Sequence, residues 1–195
     1  VIPETVLLCY PPFLKGTGLY KKWCKGWAFG GGRTAVDVPY SPTLAARSII
    51  NGVAALDTAL KTTPGDVVAM GHSQGAQVIS RWLRHYADAP DAPDPLRVRF
   101  VLTGNPLRAN TGRIIGMREV DGVVGQPTRT NTRYRVLDVA RRYDGWAIKG
   151  PTFSRNGVRG MAIDHCAYWN VDLDAPSVPR PWSDEPGTTT YLTVD

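Results

Sequence analysis

The sequence predicts an α/β fold, with a mostly parallel sheet and helices on both of its faces. Two observations carry this. Short runs dominated by apolar residues, at Thr5–Tyr10, Asp66–Met70, Val98–Thr103 and Tyr134–Val139, suit strands buried on both faces, the pattern of parallel rather than antiparallel sheets. Segments of helical period alternate with these runs, which places the helices as crossover connections. The length of 195 residues suits one domain, since domains cluster at roughly 100–200 residues. No internal repeat or domain-sized linker interrupts the chain.

In chain order, the first strand is followed by a glycine-dense stretch from Gly16 to Gly32, too rich in breakers for regular structure. Ser41-Pro42 has the chemistry of a helix start, a capping hydroxyl followed by a proline in the first turn. Leu44, Ile49, Ile50, Val53, Leu56 and Leu60 recur at helical spacing after it, and Pro64-Gly65 ends the helix. Asp66–Met70 is the second strand, and Gln74 to about Tyr86 the second helix. A Pro/Asp/Ala linker leads to the third strand, Val98–Thr103. Residues 110–132 are polar and glycine-rich, and read as irregular. Tyr134–Val139 is the fourth strand, followed by a Gly/Pro/Asn-rich loop. This gives one domain over 1–173 and a proline-rich, extended C-terminal tail over 174–195.

Composition excludes several classes. An apolar content of 43% with 21% charged residues is that of a folded globule, not a disordered chain. No apolar run reaches the roughly 18–20 residues that cross a bilayer, so no integral membrane segment is expected. Val1-Ile2-Pro3-Glu4 does not read as a signal peptide. Cys9, Cys24 and Cys166 cannot all pair within one chain. Cys9 sits in an apolar run and reads as a small buried hydrophobe, and a single Cys24–Cys166 bridge is not demanded. No Cys/His spacing suggests zinc, so neither metal nor cofactor is expected. The net charge is +6, yet Arg129, Arg133, Arg135, Arg141 and Arg142 match no nucleic-acid-binding motif and read as solvated strand ends. Attraction to an anionic surface is the milder consequence.

The sharpest motif is Gly71-His72-Ser73-Gln74-Gly75, a G-x-S-x-G sequence between a buried strand and a helix. That context forces a tight strand-to-helix turn, which strains the serine backbone and presents its hydroxyl at a helix N-terminus. A serine hydroxyl needs a general base to act as a nucleophile. Of the three histidines, His72 adjoins Ser73 and should point away. His85 lies 12 residues along the helix, roughly 18 Å off at 1.5 Å per residue. His165 remains as the base. In this fold class the acid falls between nucleophile and base. Asp144 follows the fourth strand at the edge where open α/β sheets collect their functional groups, and is preferred. Asp138, inside that strand, is the alternative.

Acyl transfer also requires donors for an oxyanion. The backbone N–H of Gln74 is one. Pro11 and Pro12 have no N–H to offer, so the second is sought in Gly16-Thr17-Gly18, where Thr17 could add its hydroxyl.

Assembled, these residues resemble the cutinase-like serine esterases, and most closely the mycobacteriophage lysin B enzymes and the PE-PPE hydrolase domains. The matching segments are GTG at 16–18, GHSQGAQV at 71–78, GNPLR at 104–108, YDGWA at 143–147 and DHCAY at 164–168. The resemblance implies an α/β-hydrolase fold without a large lid and a metal-free Ser–His–Asp mechanism on lipid or cell-envelope esters, mycolyl-arabinogalactan among them. It also implies action at the host envelope by a phage protein, or secretion after removal of a leader. Secreted cutinases carry paired cysteines that this chain lacks, which favours the phage or PE-PPE branch. A monomer is expected. Acyl transfer between envelope lipids is the same-chemistry alternative. The rival of another class is a non-catalytic envelope-binding module, with Trp23, Trp27, Trp146 and Trp169 serving adhesion.

Overall fold

A computed structural model of the chain describes residues 4–45, 47–118, 122–175, 178 and 189–195. Its centre is a six-stranded, wholly parallel sheet of β1 (Thr5–Cys9), β2 (Thr34–Asp37), β3 (Val67–His72), β4 (Val98–Thr103), β5 (Arg135–Arg141) and β6 (Thr189–Val194). The spatial order is β2-β1-β3-β4-β5-β6. The chain winds outward in one direction from β1 to β2 and in the other from β3 onward. The switch point therefore lies between β1 and β3, where ligands of open α/β sheets bind beyond the strands' C-terminal ends.

Each strand sends alternate side chains into two separate cores. On one face, Leu7, Val67, Ala69, Val98, Phe100 and Val136 pack under two neighbouring helices, α1 (Arg47–Thr62) and α2 (Gln74–His85). Both helices bury a stripe, Ile49, Val53, Leu56 and Leu60 from α1 and Ala76, Val78, Ile79, Trp82 and Leu83 from α2. On the other face, Val6, Leu8, Val68, Met70, Val101, Leu137 and Val139 meet Tyr20, Trp23, Trp27 and Tyr168. That second cover is made of kinked 3-10 turns over Leu19–Phe29 and irregular chain over 168–175, rather than α-helices. Aromatic side chains here do what a helix stripe does on the first face. A short helix, α3 (Val158–Ala162), precedes His165.

The four strands expected from the sequence are present, and two edge strands are added to them. β2 lies just past the glycine-dense stretch and is mostly exposed. β6 lies inside the expected C-terminal tail, whose last residues pair with β5 from Val136↔Thr189 to Arg141↔Val194. The rest of that expected tail, at 176–177 and 179–188, falls outside the described residues. The first helix also starts later than Ser41-Pro42. Ser48 Oγ donates to the Ser41 carbonyl (2.9 Å) and accepts from the Thr43 N–H (3.0 Å), which holds 41–45 in a non-helical approach to α1. Leu44, placed on the buried stripe by its spacing, is consequently 66% exposed. No helix among the described residues is long and apolar enough to cross a membrane.

Candidate active site

β3 ends at His72 and α2 begins at Gln74, so one residue makes the whole turn. Ser73 makes it at φ 54° and ψ −115°, a conformation that costs a non-glycine residue roughly 1–3 kcal/mol. The turn needs Gly71, whose Cβ would lie 2.5 Å from the Gly75 carbonyl oxygen, and it needs Gly75 itself to lack a side chain. A Cβ there would lie 2.0 Å from the Cys9 carbonyl oxygen of β1. Close approach of α2 to β1 thus fixes the elbow at the switch point.

His165 reaches Ser73 from the loop after α3. Its Nε2 lies 2.8 Å from Ser73 Oγ, and its Nδ1 lies 2.9 Å from both carboxylate oxygens of Asp144. Asp144 is fully buried and accepts further hydrogen bonds from the Trp146 N–H (2.9 Å), the Ala147 N–H (3.2 Å) and the Tyr168 hydroxyl (2.7 Å). Burial alone would raise its pKa. The bonds from His165 and Tyr168 outweigh burial and hold it below the usual carboxylate range. A carboxylate that stays ionised cannot donate, so Nδ1 carries the proton and Nε2 is left to accept from the serine hydroxyl. This ionisation contributes stability above the ordinary carboxylate pKa, and that contribution is lost as pH falls through the depressed value.

Of the two acids left open in the sequence, the structure brings Asp144 and not Asp138 to the imidazole. Asp138 is sealed inside the sheet, where Arg108 Nη1 (2.8 Å) and Asn105 Nδ2 (2.8 Å) donate to its carboxylate. Burial pushes the Asp138 carboxyl up, and Arg108 offsets this only in part. Asn105 and Arg108 belong to the GNPLR segment, whose polar residues therefore brace β5 from β4. Replacing Arg108 with Met is expected to cost about 3–5 kcal/mol, because a buried charge loses its partner. For a chain this size that is a fall of about 6–20 °C in Tm by calorimetry. Between the unfolded and the raised folded pKa the folded variant holds a proton that the unfolded chain releases. Its deficit should therefore narrow as pH is lowered towards the carboxylate range. A pH-independent deficit, or one below about 1 kcal/mol, would show the pair to be unimportant.

His72 points away from Ser73, as its place in the elbow requires. Its Nδ1 lies 3.0 Å from the Thr103 carbonyl, and its ring packs 4.4 Å from Trp23 and 4.6 Å from His165, centroid to centroid. Burial, then the neighbouring His165, pushes its pKa well down. A neutral ring there adds no positive charge against an imidazolium at His165. His85 ends α2 and takes no part. Gln74 is the first residue of α2, so its N–H lies among those without an intrahelical acceptor. Its side chain is tied to Thr43 O (2.8 Å) and Ser48 Oγ (3.1 Å), which fixes the approach to α1.

Thr17 is not brought to the site. It is exposed, and its Oγ1 (2.8 Å) and its N–H (3.2 Å) both donate to the Leu14 carbonyl. Both groups are spent in a local turn, so the expectation that Thr17 is an oxyanion donor is corrected. The loop that does line the cavity beside Ser73 is Pro11–Leu14. Two further residues of the site are not evident from sequence. Gly104 takes φ +55°, and a Cβ on it would lie 2.6 Å from His72 Cε1 and 2.9 Å from Asp144 Oδ2. Tyr168 accepts the Arg141 N–H (2.9 Å) while donating to Asp144, and so links the end of β5 to the acid. GNPLR and DHCAY contain both residues, but nothing local in either motif specifies what they face.

Ser73 opens onto two cavities. One, of about 460 Å³, is lined by Pro11–Leu14, Leu19, Trp23, Leu44, His165 and Trp169. The other, of about 370 Å³, is lined by Gln74, Gln77, Ile114, Met117, Arg118 and Trp146. The irregular chain around Ile114–Arg118 thus borders the site. Cys9 and Cys24 are buried and Cys166 exposed, and all three are free thiols. Among the described residues, no group of three or more His, Cys, Asp or Glu side chains could hold a metal ion.

A parallel sheet with a serine elbow at its switch point, faced by a histidine and an acid contributed after later strands, defines an α/β-hydrolase-type fold. The catalytic core domain of acetyl xylan esterase from Trichoderma reesei superposes with a TM-score of 0.50 at 16% identity, over 86% of this chain and 92% of that one. The family model of the PE-PPE domain matches residues 33–195, and the chain belongs to that family. It is 30% identical over 206 residues to esterase PE16 of Mycobacterium tuberculosis, across 93% of this chain and 39% of the relative. It is 36% identical over 111 residues to SL1278 acyltransferase Chp1 of the same organism, across 53% of this chain and 26% of the relative. The chain thus spans well under half the length of these two curated relatives.

Proposed function

We propose that the protein is a serine hydrolase of lipid carboxylic esters, with Ser73, His165 and Asp144 as its catalytic residues. The observation that carries this is the unbroken line of short contacts from Ser73 Oγ to His165 Nε2 and from His165 Nδ1 to Asp144. Ser73 Oγ attacks the ester carbonyl carbon as His165 Nε2 takes its proton, and the carbonyl oxygen becomes an oxyanion. The N–H of Gln74 is one donor for that oxyanion. Phe13 and Leu14, which line the cavity beside Ser73 and carry the first amides after Pro11-Pro12, are the candidates for the other, the place that Thr17 does not fill. The tetrahedral adduct collapses as His165 returns the proton to the departing alcohol, leaving an acyl ester on Ser73. Water then gives a proton to His165 as it attacks the acyl carbon, and the second adduct collapses as His165 returns that proton to Ser73 Oγ, releasing the carboxylic acid and restoring the free serine. Asp144 holds the imidazole and stabilises its cationic form throughout.

The apolar wall of the larger cavity favours an acyl chain, since each buried methylene contributes about 0.8 kcal/mol. Among envelope esters, mycolyl-arabinogalactan is the finer candidate implied by the motif resemblance, and product analysis on that polymer tests it. The likeness to an acyltransferase favours a second reading, in which an alcohol takes the place of water in deacylation. The test of the primary reading is saturable turnover of p-nitrophenyl butyrate that disappears in Ser73→Ala. Adding an alcohol acceptor separates hydrolysis from transfer, by the appearance or absence of a transesterified product.

A further inference from the structure

The rim of the larger cavity carries large apolar side chains that are left exposed to solvent. Phe13 is held at φ +69°, rare for a bulky residue, and is nevertheless 78% exposed. Leu19, Leu44 and Trp169 stand beside it at 55%, 66% and 49% exposure, all lining the same cavity. Next to this mouth lies a depression of about 410 Å³ lined by Lys21, Lys22, Lys25, Gly26, Trp169 and Asn170. Lys22 and Trp169 belong to both concavities, so the apolar mouth and the lysine-walled depression form one surface.

The chain segment that builds most of it is one-sided in charge. From Thr5 to Val36 the chain carries Lys15, Lys21, Lys22, Lys25 and Arg33 and no acidic residue. Lys15 donates to the Tyr40 carbonyl, Lys25 pairs with Asp172 at 3.0 Å, and Arg33 is drawn inward to Glu4 and Asp174. Lys21 and Lys22 remain exposed on the rim. Exposed aromatic and aliphatic side chains flanked on one side by Lys21 and Lys22 match an anionic lipid interface, where the apolar groups enter the acyl layer and the ammonium groups meet phosphate.

We propose that this face docks the protein on an anionic phospholipid surface, with Phe13, Leu19, Leu44 and Trp169 inserted and the exposed Lys21 and Lys22 of the adjoining depression receiving headgroup phosphate. Ser73 then faces the lipid through the cavity mouth. The purpose of the face rests on the ester-hydrolase reading; its binding does not.

The test is sedimentation of the Ser73→Ala protein, which spares the lipid, with vesicles of phosphatidylglycerol mixed with phosphatidylcholine and with vesicles of phosphatidylcholine alone. Binding is expected to the anionic vesicles, at least about tenfold tighter than to the neutral ones, and weakened by salt. Each lysine is worth roughly fivefold at such a surface, so Lys21→Glu with Lys22→Glu should weaken binding by more than about 25-fold. Phe13→Ser, which leaves the charge unchanged, should weaken it as well. Equal binding to both vesicles, no binding, or unaltered binding by both variants would overturn the proposal. So would a dimer in analytical ultracentrifugation that the same substitutions dissolve, because a second copy would then cover the face. Turnover of soluble p-nitrophenyl butyrate by the wild-type protein is read separately, and its failure counts against the ester-hydrolase reading alone.

Discussion

Ser73→Ala is expected to lower kcat for p-nitrophenyl butyrate by about 10⁵–10⁶, the loss seen when a triad nucleophile is removed, while leaving Tm nearly unchanged. The two readouts separate chemistry from folding. The hydroxyl contacts His165 at 2.8 Å, so its removal deletes that hydrogen bond and opens no core cavity. Alanine retains the Cβ, so the strain at φ 54° persists in the variant as in the parent. Activity within tenfold of wild type would place the nucleophile elsewhere. Lost activity with a large fall in Tm would trace the effect to the elbow rather than to the hydroxyl.

Asp144→Asn should lower kcat by about 10⁴ with little change in KM, through the tautomer of His165. The Trp146 and Ala147 N–H groups both donate to Oδ1, so an asparagine must keep its carbonyl oxygen at that position. Its NH₂ group then occupies the Oδ2 position and turns a donor toward His165 Nδ1 and the Tyr168 hydroxyl. Nδ1 must become an acceptor, the ring proton moves to Nε2, and Ser73 faces a donor where it needs a base. Steady-state kinetics on the folded variant measures this. A loss below about tenfold would mean that orientation of the ring by Asp144 matters little.

Much of this arrangement is legible in the amino-acid sequence. The elbow can be read because a G-x-S-x-G between a buried strand and a helix has few other physical uses. The candidate base can be read because only three histidines exist and helix geometry removes His85. Asp144 is favoured over Asp138 because it follows its strand rather than lying within it, and the fold supplies the reason: Asp138 is occupied by Arg108 and Asn105. The edge strands are harder. β2 is four residues long and largely exposed, so it lacks the apolar run that marks its neighbours. β6 has the alternating, β-branched pattern of a strand, Thr189–Val194, but it follows a proline-rich stretch that suggests a tail. Its place is set by pairing to β5, a long-range fact. Thr17 misleads because a glycine-flanked threonine looks available in sequence, whereas Leu14 O takes both its donors. Tyr168 and Gly104 cannot be read locally because their roles exist only where β4, β5 and the His165 loop meet.

The proposed mechanism turns on activation of the Ser73 hydroxyl by His165. Its most direct measurement is the rate of reaction with a fluorophosphonate, with the adduct located by tandem mass spectrometry. A single adduct on Ser73 is expected, forming rapidly in the wild-type protein and at least about 10³-fold more slowly in His165→Ala, since the general base is gone. An adduct on another residue, no adduct, or an unchanged rate without His165 would contradict it.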